Sequence, residues 1–223
     1  IFAYSNMGLL YEEGDGVELD LSKALSLHKK GHDLKNYFST YNLGRFYFFG
    51  IGIEKNTNYG LQLLREADQN EEEQATILLG DIYFEGDGIK KDYKLAMKYY
   101  RKAAQIGNDA MPLHRLGYMY DLGHGVDINP DLALEFYFKA VEYGSADSAY
   151  NIGLIYFDKE SKHYDIFKAL KYFKKAKEMG DNLADIKIDI IESEIKNKKI
   201  VQNNLDQDLN KVRGLVLKNK KEN

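Results

Sequence analysis

The chain has 223 residues, 44% of them hydrophobic and 30% charged, the balance of a water-soluble protein that buries a core. A net charge of -4 supplies no basic stripe for a nucleic-acid backbone, and the absence of cysteine excludes a disulfide framework and a thiolate zinc site. No apolar run reaches the roughly 18 residues a membrane-spanning helix needs.

In chain order, the first helix carries Met7-Gly8, with Tyr11 three residues after the glycine. A Gly14-Asp15-Gly16-Val17 loop follows, and a second helix is entered at Asp20, with small residues at Ala24 and Gly31. The register returns at Leu43-Gly44, Tyr47, Gly50-Ile51-Gly52-Ile53, Asn56, Gly60 and Ala67. It returns again at Leu79-Gly80, Tyr83, Gly86-Asp87-Gly88-Ile89, Asp92, Ala96 and Ala103. The fourth copy reads Leu116-Gly117, Tyr120, Gly123-His124-Gly125-Val126, Asn129, Ala133 and Ala140. The fifth keeps Ile152-Gly153, Tyr156, Asp165, Ala169 and Ala176, but has Lys159, Ser161 and Lys162 in place of the glycine loop, which is expected to be looser. The glycine-to-glycine steps are 36, 36, 37 and 36.

Each column has a physical reading. A glycine in the first helix lets a neighbouring helix approach closely, and a tyrosine three residues on lies on the same face. The Asp/Asn column suits a helix N-cap, whose side-chain oxygen satisfies an orphan N–H, and Pro130 directly after Asn129 agrees with that. The first loop glycine ends its helix in a left-handed conformation. The Ala columns mark a small-residue face on the second helix.

This pattern resembles the Sel1-like repeat family, a relative of the tetratricopeptide repeat. In the third copy the residues that carry it are Ala75, Leu79-Gly80, Tyr83, Gly86-Asp87-Gly88-Ile89, Asp92, Ala96, Tyr99-Tyr100 and Ala103-Ala104; the resemblance runs from about Phe2 to Gly180. It implies an all-α, right-handed α/α superhelix of helix-turn-helix repeats at residues 1–37, 38–73, 74–109, 110–146 and 147–181. Members act as adaptors in signalling, membrane-protein degradation, bacterial virulence and toxin immunity. A cysteine-rich branch is linked to penicillin binding, and the cysteines that define it are missing here.

Residues 182–223 are expected to form a degenerate sixth repeat and a capping helix, with Leu205, Leu209, Val212 and Val216 as its apolar stripe. The sequence opens on Ile1, inside the first repeat and without a polar cap, so further repeats, a partner surface or self-association through that repeat are expected there.

The chemical motifs are weak. The Gly-x-Gly loops lack the preceding strand and full spacing of a phosphate loop. Asp127-x-Asn129-x-Asp131 opens like a calcium loop, but Leu132 and Phe138 stand where Gly and Glu are required. His28 and His32 are spaced as a metal pair, yet His28 falls in the packing column of Leu64, Tyr100, Tyr137 and Phe173. Glu71, Glu72 and Glu73 read as a solvated charge run. No cysteine and no Gly-x-Ser-x-Gly turn offers a nucleophile. The expectation is therefore a non-enzymatic scaffold without cofactor or metal, whose partner is another protein or a peptide segment. The resemblance leaves an effector or toxin-immunity role, or a small-molecule-binding or hydrolytic role, as alternatives.

By analogy with tetratricopeptide arrays, the first helix of each repeat lines the partner-binding face at positions three before, one after and four after the glycine. These are Ser5, Leu9 and Glu12, then Tyr41, Arg45 and Phe48, with Phe49 adjoining. Ile77, Asp81 and Phe84 follow, then His114, Tyr118 and Asp121, then Tyr150, Leu154 and Phe157. The competing reading for the aromatics is that they fill the space between paired helices.

Overall fold

The computed structural model describes residues 2–219, with side chains from residue 3 to 202 and at 205, 206 and 209. All its regular structure is helical. The chain divides into two compact units, Ile1–Tyr143 and Gly144–Asn223.

The first unit holds four helical hairpins. They are α1 (Phe2–Glu13) with α2 (Leu21–Asp33), α3 (Tyr37–Phe49) with α4 (Thr57–Gln69), α5 (Glu73–Glu85) with α6 (Tyr93–Ile106), and α7 (Ala110–Leu122) with α8 (Pro130–Glu142). The first helix of each pair is helix A of its repeat and the second is helix B. The second unit holds one more hairpin, α9 (Ala146–Phe157) with α10 (Ile166–Glu178), followed by α11 (Ala184–Asn219).

The repeated glycine of helix A is where helix B is closest. A Cβ on Gly80 would stand 2.6 Å from Tyr100 Cε1, on Gly117 2.6 Å from Tyr137 Cδ1, and on Gly153 2.7 Å from Phe173 Cε1. Gly44 meets Leu64 in the same way, and Gly8 meets the ring of His28. Each of these helix B side chains is fully buried, so each glycine is a seat for one large side chain. His28 fills that column, edge-on to Phe46 at 5.6 Å, while His32 Nδ1 shares a hydrogen bond with Thr40 Oγ1 at 3.0 Å.

The two other recurring columns close the hairpin. Each Asp/Asn side chain caps helix B: Asp20 accepts from Lys23 N–H at 2.9 Å, Asn56 from Tyr59 at 3.1 Å, Asp92 from Leu95 at 3.0 Å and Asn129 from Leu132 at 3.1 Å. In the second unit Asp165 accepts from Lys168 at 3.0 Å. The backbone N–H of each cap residue donates to the carbonyl of the repeat's tyrosine: Asp20 to Tyr11, Asn56 to Tyr47, Asp92 to Tyr83, Asn129 to Tyr120 and Asp165 to Tyr156, at 2.7–2.9 Å. The fixed distance from tyrosine to cap is thus the span of one hydrogen-bonded loop. In the first four repeats a left-handed glycine turns the chain into it, with φ 74° at Gly86. In the fifth, Asp158 is extended, and turns from Ser161 N–H to Asp158 C=O (3.1 Å) and from Tyr164 N–H to Ser161 C=O (3.0 Å) do the same job.

Consecutive repeats of the first unit are also joined by a buried carboxylate. Asp68, near the end of α4, accepts from Thr76 Oγ1 of α5 and from Lys102 Nζ of α6, each at 2.7 Å.

The C-terminal region differs from the two helices expected there. Residues 184–219 form one continuous helix, α11, and its packed stripe is Ala184, Ile188 and Ile191, all buried. Leu205 and Leu209 are exposed, and the side chains of Val212 and Val216 lie outside the described residues. The reason is length. A 13-residue α10 extends about 20 Å, whereas Leu205 lies about 31 Å along α11 from Ala184.

These contacts set an expected outcome. Gly80→Leu overpacks against Tyr100 and should lower stability by about 1–3 kcal/mol or more. Asp92→Ala should lower it by about 1 kcal/mol through the lost cap. Urea unfolding of both variants checks this; a parent-like midpoint for either removes the role assigned to that column.

Candidate functional site

The positions expected to face a partner divide by their angle from the glycine. A helix turns about 100° per residue, so position four after the glycine lies only about 40° from the direction of helix B. Position three before lies about 60° away and position one after about 100° away. Apolar side chains at the first two should therefore turn inward; Phe48, Ile77 and Phe84 do so fully, and Phe157 is half-buried.

Phe48 (0% exposed), Ile77 (3%) and Phe84 (6%) are core residues, which corrects the expectation that they face solvent. Phe48 and Phe84 belong to one buried cluster with Leu64, Tyr100 and Met119. Ser5 is buried as well. Phe49, by contrast, is exposed and stands edge-on to Phe48 at 4.9 Å.

The half-buried positions of the first unit form a linked series. Glu12 of α1 pairs with Arg45 of α3 at 3.0 Å, and Arg45 also donates to Asn42 Oδ1 at 2.8 Å. The Arg45 guanidinium lies 5.7 Å from the ring centre of Tyr41, which packs against the core cluster. Burial raises the Tyr41 pKa, an effect opposed by Arg45 and reinforced by Glu12, Glu72 and Asp81.

Asp81 of α5 accepts from Tyr100 Oη at 2.7 Å and pairs with Arg115 of α7 at 3.2 Å. Burial pushes the Tyr100 phenol far above its ordinary range, and the charge of Asp81 adds to that, so it is a permanent donor. Arg115 then covers the Phe84 ring at 5.7 Å, beside Tyr118 at 6.1 Å from the same ring. Further along α7, Tyr137 Oη donates to Asp121 at 3.4 Å, and His114 lies against the Tyr137 ring at 5.7 Å.

Sequence reasoning passed over three members of this surface: Arg115, Tyr93 and His124. His124, in the fourth loop, stacks on Tyr93 at 4.8 Å and touches Tyr118 and Phe84 at 5.6 and 5.4 Å. A signal for the ion pairs was present. Glu12 and Arg45 are 33 residues apart, and Asp68 and Lys102 are 34 apart, so opposite charges recur about one repeat apart.

In the second unit, Tyr150 and Phe157 lie edge-on to Phe173 at 5.2 and 6.4 Å, and Lys187 Nζ sits 5.6 Å from the Phe157 ring centre. Leu154 is half-buried beside them in sequence. Among the described residues no group of three His, Cys, Asp or Glu side chains is placed to hold a metal, and no helix is long and apolar enough to cross a membrane.

Hairpins of this build, one glycine seat and one capped loop per repeat, define an α/α helical-repeat protein. The chain belongs to the Sel1 repeat family, whose repeat matches residues 1–35, 38–67, 74–108, 113–145 and 146–181. Among solved structures it is similar to a Sel1 repeat protein from Oxalobacter formigenes, at 30% identity and a TM-score of 0.74 over 82% of this chain and 74% of that one. It is also similar to c5321, a protective antigen of uropathogenic Escherichia coli with the same fold (29%, TM-score 0.74, 85% of this chain and 40% of that one). The immunity protein Pa5087 from Pseudomonas aeruginosa, 24% identical with a TM-score of 0.55 over 80% of this chain and 68% of that one, shares the fold alone. No curated protein matches the chain.

Two outcomes follow from the geometry. Phe84→Ala should cost about 3–5 kcal/mol of stability, as truncation of a core ring does. A loss below 1 kcal/mol in urea unfolding, well under that range, would return Phe84 to the surface.

Asp121 gives a pH test. Burial raises its pKa above the ordinary 3.8, and the Tyr137 hydrogen bond only partly offsets this. Between the unfolded and folded values the native state holds the extra proton, so stability falls as pH rises through that window. Asp121→Asn removes the cost and keeps an acceptor for Tyr137. It should therefore unfold at higher urea than the parent at pH 7, and the advantage should shrink toward pH 4. An equal midpoint at pH 7 would show that desolvation does not dominate.

Proposed function

We propose that the chain is a non-enzymatic adaptor that binds an extended protein segment along the helix A face of its first unit. Protein interaction is the role typical of Sel1 repeat proteins. The observation that carries the reading is the column one residue after the glycine. Arg45, Asp81 and Tyr118 occupy it on the A helices of three consecutive repeats, α3, α5 and α7, each half-buried and each held by a named neighbour.

Such side chains suit recognition. Their bases are fixed by packing, so little rotamer freedom is lost when a partner binds, while their polar ends remain to choose it. Tyr and Arg are the residue types that most often dominate interfaces. Asp121, a carboxylate kept partly buried at a cost, fits a surface retained for binding more than for stability. Tyr41, His114 and the exposed Phe49 border this face. In the second unit Tyr150, Leu154 and Phe157 form a separate candidate surface, with Tyr150 and Phe157 anchored on Phe173.

A peptide-display selection on the intact chain tests this. Peptides enriched on the parent should bind Tyr118→Ala about 30-fold more weakly, the equivalent of about 2 kcal/mol for a hot-spot residue. Arg45→Gln should alter which charged residues are enriched. Peptides that bind the parent and both variants alike would place recognition on another face.

A further inference from the structure

The helix α11 carries a second, mostly exposed surface away from its contact with α10, which the fifth repeat touches at Glu194 through Lys159 Nζ at 3.2 Å. Its packed side is Ala184, Ile188 and Ile191, which face α10. A different side of the same helix presents Ile186 (63% exposed), Ile190 (47%), Val201 (67%) and Leu205 (52%). At about 100° per residue these four fall within one stripe, and Glu194 and Asn197 lie on it between the two apolar pairs. An exposed apolar row of this length on a soluble chain marks a contact surface.

The stripe has a symmetry of its own. Ile190 and Val201 are equally distant in sequence from the midpoint between Ile195 and Lys196, and so are Ile186 and Leu205. Turned end for end about that midpoint, the stripe superposes on itself. A surface that matches itself under a two-fold rotation is what an isologous dimer requires. The charges agree. In the single chain Lys198 Nζ lies 3.2 Å from Glu194 Oε1, on one flank of the stripe. In an antiparallel pairing centred on the midpoint, Glu194 of each copy arrives opposite the other copy's Asn197, about 1.5 Å along the axis from its Lys198 and within reach of that long side chain, giving two reciprocal pairs. A parallel pairing in register would bring the two Glu194 carboxylates to one height instead.

We propose that α11 is a homodimerisation helix, pairing antiparallel with α11 of a second copy so that Ile186 meets Leu205 and Ile190 meets Val201. The proposal does not depend on the partner-binding face of the first unit. The four apolar residues supply burial, and the Glu194 and Lys198 pairs between the two apolar pairs set direction and register, as complementary charges at an interface do.

The cysteine-free chain makes the test direct. Sedimentation velocity of the parent should show a concentration-dependent shift from monomer to dimer. The double variant Ile190→Lys, Val201→Lys should raise the dimer dissociation constant at least tenfold while its helical circular dichroism stays unchanged. Single cysteines then read direction. Asn197→Cys should cross-link to itself under mild oxidation, because the paired backbones pass there within disulfide reach. Ile186→Cys should not, because the two copies of residue 186 stand about 28 Å apart along an antiparallel pair. A mixture of Ile190→Cys and Val201→Cys chains should give the mixed disulfide in preference to either like pair. A parent that stays monomeric up to a few hundred micromolar overturns the proposal. So does a dimer that survives the lysine substitutions, and so does efficient self-cross-linking of Ile186→Cys.

Discussion

The contact on which this structure depends is between a glycine of helix A and one large side chain of helix B. It occurs once per repeat, at Gly8–His28, Gly44–Leu64, Gly80–Tyr100, Gly117–Tyr137 and Gly153–Phe173. Any Cβ at the glycine would enter the space that the opposing side chain fills. Intrinsic propensity argues against glycine in a helix by about 1 kcal/mol relative to alanine. That cost is offset because the gap admits a ring or a leucine that is then wholly buried, worth about 1.5–3 kcal/mol. The helix spacing within each hairpin is thus set by a missing methyl group, and the cap and loop then hold the hairpin closed at that spacing.

The same contact explains what the sequence made legible and what it hid. Columns whose chemistry is local could be read directly. The Asp/Asn cap accepts from N–H groups two or three residues away, and the glycine loop needs a left-handed backbone wherever it occurs. The structure adds that the tyrosine matters partly through its carbonyl, which a reading of side chains does not see. Phe48, Ile77 and Phe84 were misplaced because an analogy to other helical repeats supplied the positions without the angle to helix B. Once Gly80 is known to point at Tyr100, Phe84, an apolar residue four later, is expected to turn inward too. α11 was hidden for a different reason. Its two apolar stripes, one packed and one exposed, overlap in sequence, and periodicity alone does not say which one meets α10.

The hydroxyl of the seated ring connects the core to the candidate surface. Tyr100 is buried against Gly80, and its Oη donates to Asp81, the next residue of helix A. Asp81 in turn holds Arg115 of the following repeat, and Arg115 covers Phe84 beside Tyr118. Tyr137 donates in the same manner to Asp121. Where the seated side chain is Leu64, no hydroxyl is available, and Arg45 is held instead by Glu12 of the preceding repeat. The half-buried surface is therefore not independent of the core beneath it. In the second repeat the charge beside the seat, Arg45, is anchored from the repeat before, and in the third, Asp81 is anchored from within its own repeat. Changing a surface charge on one helix A thus changes the environment of a charge on the next, which couples neighbouring repeats electrostatically.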